Sequence, residues 1–131
     1  MRETWRWFGP ADKVTPWDIR QAGAEGIVTS LYHLPPGQVW TRAEIAKRIA
    51  EVEKHADATS SGLTLDVIES IPVSETIKTA GPDREAHMQA WVESVENCAA
   101  KGISVICNNF MPILDWTRTD LDWPLENGGT A

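Results

Sequence analysis

Short apolar runs alternate along the chain with longer stretches in which apolar positions recur at helical spacing. Thr4 to Phe8 predicts a first strand that Gly9-Pro10 ends, and Gly26 to Leu31 predicts a second. Leu63 to Glu69 predicts a third, broken by Pro72, and Ile103 to Cys107 a fourth. Between the first two lies a complete helix-start signal. Thr15 is placed as N-cap, Pro16 at the first helical position, Asp18 three residues after the cap, and Val14 where it can meet Ile19. Gly23 is the natural stop. The same grammar recurs at Thr41, where Glu44 completes a capping box and Trp40 can reach Ile45. From there Ile45, Ile49, Val52 and Ala56 hold one face, with Lys47, Arg48, Glu51 and Lys54 pointing elsewhere. Asp57 to Gly62 is small and polar, hence a loop. Asp83 can cap a third helix whose apolar positions are Met88, Trp91, Val92, Val95, Cys98 and Ala99, and Gly102 closes it.

Strands alternating with helices describe a parallel sheet with crossovers, and the apolar strands suit a sheet covered on both faces. Such crossovers are right-handed, so the units form either an open doubly wound sheet or the first half of a barrel. No strand is followed by the full G-x-G-x-x-G phosphate fingerprint, which weakens a dinucleotide-binding reading.

Composition narrows the picture. At 131 residues, with 42% hydrophobic and 24% charged residues, the chain suits a single globular domain over 1–131. It is too short for a complete eight-unit β/α barrel of about 250 residues. A net charge of -7 argues against nucleic acid or an anionic membrane as partner, since nothing offsets phosphate repulsion. No apolar run approaches the roughly 18 residues that cross a bilayer, and the amino terminus lacks the apolar centre of a signal peptide, so a cytoplasmic location is expected. Two cysteines form no disulfide framework, and Cys98 and Cys107 are expected as reduced, packed thiols. His55 and His87 fall on helices and are expected to be solvated.

In both architectures ligands sit beyond the C-terminal ends of the strands. Those ends carry Arg6 and Trp7, then His33, then Glu69 and Ser70, then Asn108, Asn109, Asp115, Trp116 and Arg118. An arginine can grip a carboxylate with two hydrogen bonds, asparagine and glutamate can bind hydroxyls, and an indole can cover a C–H face, so the set suits a polyhydroxylated acid. Each also has a plainer role. Arg6 could pair with an acidic neighbour, His33 could be a packed loop residue, and Asp115 and Arg118 could pair with each other. Glu69, ending a buried strand, requires a partner or a ligand.

The run NFMPILDWTRTDL from Asn109 to Leu121 resembles the segment after the fourth barrel strand of the mannonate dehydratase family. Thr4 to Pro10, Val14 to Thr29 and Val67 to Val73 resemble that family's opening segments in the same order. The resemblance covers nearly the whole chain, departs near His55 to Leu63, and reaches only the first third or so of such an enzyme. It implies the first half of a TIM (β/α)8 barrel of the xylose-isomerase-like type, with about four β/α units. The implied activity is dehydration of D-mannonate to 2-dehydro-3-deoxy-D-gluconate in hexuronate catabolism, with Fe(II) or Mn(II) held by later strands that this chain does not contain. Of the strand-end set expected to bind substrate, Arg6, Trp7, His33, Glu69, Asn109, Asp115, Trp116 and Arg118, the resemblance favours Trp116 and Arg118 foremost. Half a barrel exposes sheet edges and apolar side chains, so it should associate with a second copy, pair with a missing half, or fold in a rearranged way. A related metal-dependent sugar isomerase or epimerase, or a non-catalytic half-barrel that binds sugar acids, is the alternative.

Overall fold

A computed structural model describes residues 1–54, 59–114, 119–120 and 122–130. Its strands are β1 (Thr4–Arg6), β2 (Gly26–Thr29), β3 (Thr64–Glu69) and β4 (Val105–Cys107). They form one four-stranded sheet in the order β1-β2-β3-β4, every pair parallel. That sequential order decides between the two architectures. A doubly wound sheet reverses direction at a switch point, whereas a barrel adds each strand on the same side of the last.

The helices are α1 (Pro16–Gln21), α2 (Arg42–Glu53), α3 (Glu75–Lys78) and α4 (Arg84–Ala100). At α1 the capping box forms in full: Thr15 Oγ1 accepts from the Asp18 N–H at 3.2 Å and Asp18 Oδ2 accepts from the Thr15 N–H at 2.9 Å. At α2 only half of it forms. Thr41 accepts the Glu44 N–H, but the Glu44 carboxylate is taken by His33 instead of reaching back. Asp83 precedes α4 without a side-chain cap bond, and the single-turn α3 has no counterpart in the hydrophobic pattern.

The buried face of α4 also departs from its apolar stripe. Its buried residues are Ala90, Ser94, Asn97 and Cys98, with Trp91 and Val95 packed partly buried against the core, while Met88, Val92 and Ala99 are exposed. Two polar residues face inward because they clamp one backbone unit of the preceding loop. Ser94 Oγ accepts the Trp40 N–H at 2.9 Å, and Asn97 Nδ2 donates to the Trp40 carbonyl at 3.0 Å. Arg42 Nε then donates to Asn97 Oδ1 at 3.0 Å. Buried amide groups need partners, and this arrangement supplies them while fixing α2 against α4.

The core lies on the helix side of the sheet, where Ile27, Leu65 and Ile68 meet Ile19, Trp40, Ile45, Val52 and Cys98. The other side is open. The register places Arg6, Val28, Val67 and Val105 side by side across it, and Val105 is 46% exposed. Cys107 lies on that uncovered side and is exposed, contrary to the expectation of a packed thiol, whereas Cys98 is buried and desolvation pushes its thiol up to about 11. His87 is half-buried: its Nδ1 lies 2.8 Å from Ser74 Oγ, and Gly37 rests against the ring, where an added Cβ would come within 2.4 Å of it. The expectation of a solvated His87 therefore fails, because α4 packs this ring against two loops. Ala56 and His55 lie outside the described residues.

Candidate functional site

All four strands point the same way, so the residues that follow them share one end of the sheet. There Arg6 Nη1 and Glu69 Oε1 are 3.6 Å apart, both side chains half-exposed. These two come from β1 and β3, on either side of β2, and both face the open side of the sheet. A half-exposed pair of this kind contributes little to stability, so a ligand can displace it at small cost. Arg6 also lies over the Phe8 ring, 5.2 Å from its centroid, and Phe8 in turn packs at 5.7 Å against Tyr32.

That aromatic pair connects Arg6 to a cavity of about 430 Å³ lined by Phe8, Tyr32, His33, Glu44, Lys47 and Arg48 among others. His33 Nε2 sits 2.9 Å from Glu44 Oε2 in an exposed pair on its wall. His33 is thus a bonded loop residue on the wall of this cavity.

Trp7 leaves the group around Arg6. Strand alternation turns it to the helix side, where it is buried and its Nε1 donates to the Val14 carbonyl at 3.1 Å. The Arg48 guanidinium lies over its ring at 5.5 Å. Asn109 follows β4 at the same end of the sheet and is half-buried. Asp115, Trp116 and Arg118 lie outside the described residues.

Arg48 escaped the sequence reading because it falls among the helix positions assigned to solvent. Its side chain is only 6% exposed and sits 3.2 Å from Glu51 Oε2. Nε makes that ion-pair contact without aiming an N–H along it, and Nη1 has no hydrogen-bond partner among the described residues. Burial lowers the guanidinium pKa, with Glu51 opposing. Gly9 has φ +96, and an added Cβ there would lie 2.4 Å from Arg48 Nη1, so glycine is required both for the turn and for the arginine beneath it.

The comparisons with known proteins agree with the fold described above. The family model described as D-mannonate dehydratase (UxuA) matches residues 1–131. A mannonate dehydratase of Chromohalobacter salexigens is 52% identical over 131 residues, covering all of this chain and 32% of that protein. Mannonate dehydratase 1 of Agrobacterium fabrum is also 52% identical, with 31% of its length covered. The crystal structure of mannonate dehydratase from Streptococcus suis serotype 2 superposes with a TM-score of 0.91 at 43% identity, over all of this chain and 36% of that one. The chain therefore spans about a third of the length of the curated relatives it matches.

Proposed function

The chain belongs to the D-mannonate dehydratase family over its whole length, and from that premise we propose that its sheet is the substrate-holding first part of a TIM-barrel hydro-lyase. The reaction is loss of water from D-mannonate to give 2-dehydro-3-deoxy-D-gluconate, in the cytoplasmic breakdown of hexuronates. The observation that carries the proposal is the Arg6–Glu69 pair on the open face at the strands' C-terminal ends. A sugar-acid carboxylate can replace Glu69 on the Arg6 guanidinium in a two-pronged grip, which leaves the Glu69 carboxylate free to accept from a sugar hydroxyl. Asn109, Asp115, Trp116 and Arg118 complete the binding set in this reading.

The demanding step is removal of the proton next to the carboxylate. A divalent metal, when bound, would supply the positive charge such a step requires. The resemblance implies Fe(II) or Mn(II). Among the described residues no three His, Cys, Asp or Glu side chains gather into a group that could hold one, and the part proposed for these residues is binding and orienting the acid.

Titration of the protein with D-mannonate, followed by tryptophan fluorescence, tests the binding role. Arg6→Ala is expected to weaken affinity about tenfold, the loss of one charge-assisted contact. Equal affinity in the two proteins would remove Arg6 from the site.

A second reading is favoured by the uncovered valines and by the outer edges of β1 and β4, which are unpaired among the described strands. It is a half-barrel that associates with a second copy or with a separate polypeptide supplying the missing half. Light scattering of the chain alone is expected to give a mass above 14.5 kDa, returning to that value in Val105→Lys. A monomer before substitution would remove the self-association reading. No helix among the described residues is long and apolar enough to cross a membrane.

A further inference from the structure

The cavity of about 430 Å³ beside α2 has in its wall a charged group whose hydrogen-bonding edge the protein leaves largely unused. Arg48 presents five N–H donors on a planar guanidinium, and its side chain is only 6% exposed. Its contact with Trp7, 5.5 Å from the indole, engages the flat face of that group and not its edge. Along the edge, Nε is 3.2 Å from Glu51 Oε2 in an ion pair without an aligned N–H, and neither Nε nor Nη1 has a hydrogen-bond partner among the described residues. A buried charge with unmet donors is costly, so an acceptor is called for.

The surroundings indicate what that acceptor belongs to. The guanidinium lies beneath Gly9, whose chain neighbours Phe8 and Pro10 both line the cavity together with Leu31. Lys47 lines it as well and is exposed, so a second positive charge stands beside the first. The two carboxylates in the lining are already engaged, Glu44 by His33 and Glu51 by Arg48. What is left over is a fork of donors and an ammonium among apolar walls, in a volume within the range of ligand cavities, about 300–1,000 Å³. This place is separate from the Arg6–Glu69 pair. Alternation along β1 sends Trp7, and the arginine over it, to the helix side of the sheet, while Arg6 and Glu69 stand on the open side.

We propose that this cavity is a binding site of its own for a small organic acid: Arg48 takes the carboxylate through its Nη1 edge, Lys47 adds to the hold, and the apolar body rests against Phe8 and Leu31. A planar group with two oxygens matches the guanidinium fork, which accounts for arginine at this position. The apolar walls favour an acid that carries a hydrocarbon part over a fully hydrated inorganic ion. The inference goes beyond the sugar-acid reading above and does not depend on it.

The test titrates the full 131-residue chain, isotopically labelled for NMR, with sodium benzoate, a carboxylate on an apolar ring, and follows the arginine Nε–H signals. The Arg48 signal, assigned by its loss in Arg48→Lys, is expected to shift and saturate. Arg48→Lys keeps a charge but lacks the fork, and it should weaken benzoate binding about tenfold, read from the remaining amide shifts. Lys47→Met, an exposed substitution that leaves the buried arginine in place, should weaken binding about threefold. It keeps the test open if Arg48→Lys does not fold. Arg6→Ala should leave the benzoate affinity as it is. An Arg48 signal that does not move at benzoate concentrations in the tens of millimolar would mean that water alone meets these donors, and the proposal would fall. Inorganic phosphate binding as tightly as benzoate would overturn the assignment to an organic acid. Loss of benzoate binding in Arg6→Ala would overturn the separation of this site from the one on the open face.

Discussion

Trp40→Ala is expected to destabilise the fold by about 3–5 kcal/mol, the usual cost of emptying a fully buried indole site. Trp40 is 1% exposed, and its N–H and carbonyl are both bound by α4 side chains. That double attachment raises the cost. The backbone cannot sink into the vacated space without giving up the Ser94 and Asn97 bonds, so the cavity stays open. Domains of this size are stable by only about 5–15 kcal/mol, so the variant should sit near the edge of folding. Urea unfolding monitored by circular dichroism measures the loss, with the exposed Trp123→Ala as the near-neutral comparison. A difference below about 1 kcal/mol between the two would mean that the site collapses despite its clamp.

The same clamp explains where the hydrophobic pattern misled. Periodicity reads apolar positions, and on α4 it selected Cys98, which is buried, and Trp91 and Val95, which pack against the core, but also Met88, Val92 and Ala99, which are exposed. The face that turns inward carries Ser94 and Asn97, whose value lies in bonding a backbone unit 54 and 57 residues away. Nothing local encodes that partnership. Local signals succeeded where the physics is local: the Thr15–Asp18 box and the Pro16 start are complete in a few residues, and α1 begins where they place it. The strands came out shorter than the apolar runs, β1 ending at Arg6 and β4 beginning at Val105, because a ladder needs a partner of matching reach.

For the site, the rule that ligands gather at strand ends found Arg6 and Glu69, which the structure brings together. It could not separate Arg6 from Trp7, since both stand at the same strand end and only alternation sends one to each side of the sheet. Arg48 was hidden for another reason. A buried guanidinium over an indole requires a glycine at position 9 to make room, and that coupling of distant residues is invisible along one helix.

Supplied with D-mannonate and either Fe(II) or Mn(II), the 131-residue polypeptide by itself is expected to show no dehydration above the uncatalysed rate. Enzymes of this kind accelerate their reactions by about 10⁶-fold or more. Groups that hold the substrate equally well before and during the reaction contribute none of that to the chemical step. In the proposed reading Arg6 and Glu69 are groups of that type: they would orient a sugar acid, but both are half-exposed, and water weakens any field they apply to a developing charge. The further contributions, a general acid and base and a Lewis acid on the carboxylate, need side chains converging on the reacting carbon. The described residues place no three metal-binding side chains together, and the curated relatives carry about two thirds of their length beyond what this chain matches. A coupled assay for the 2-keto product distinguishes the cases. Binding of D-mannonate without turnover is the outcome expected of a substrate-holding part. Metal-dependent turnover by the unassisted chain would mean that residues outside those described complete a catalytic centre, and the division of labour argued above would be wrong.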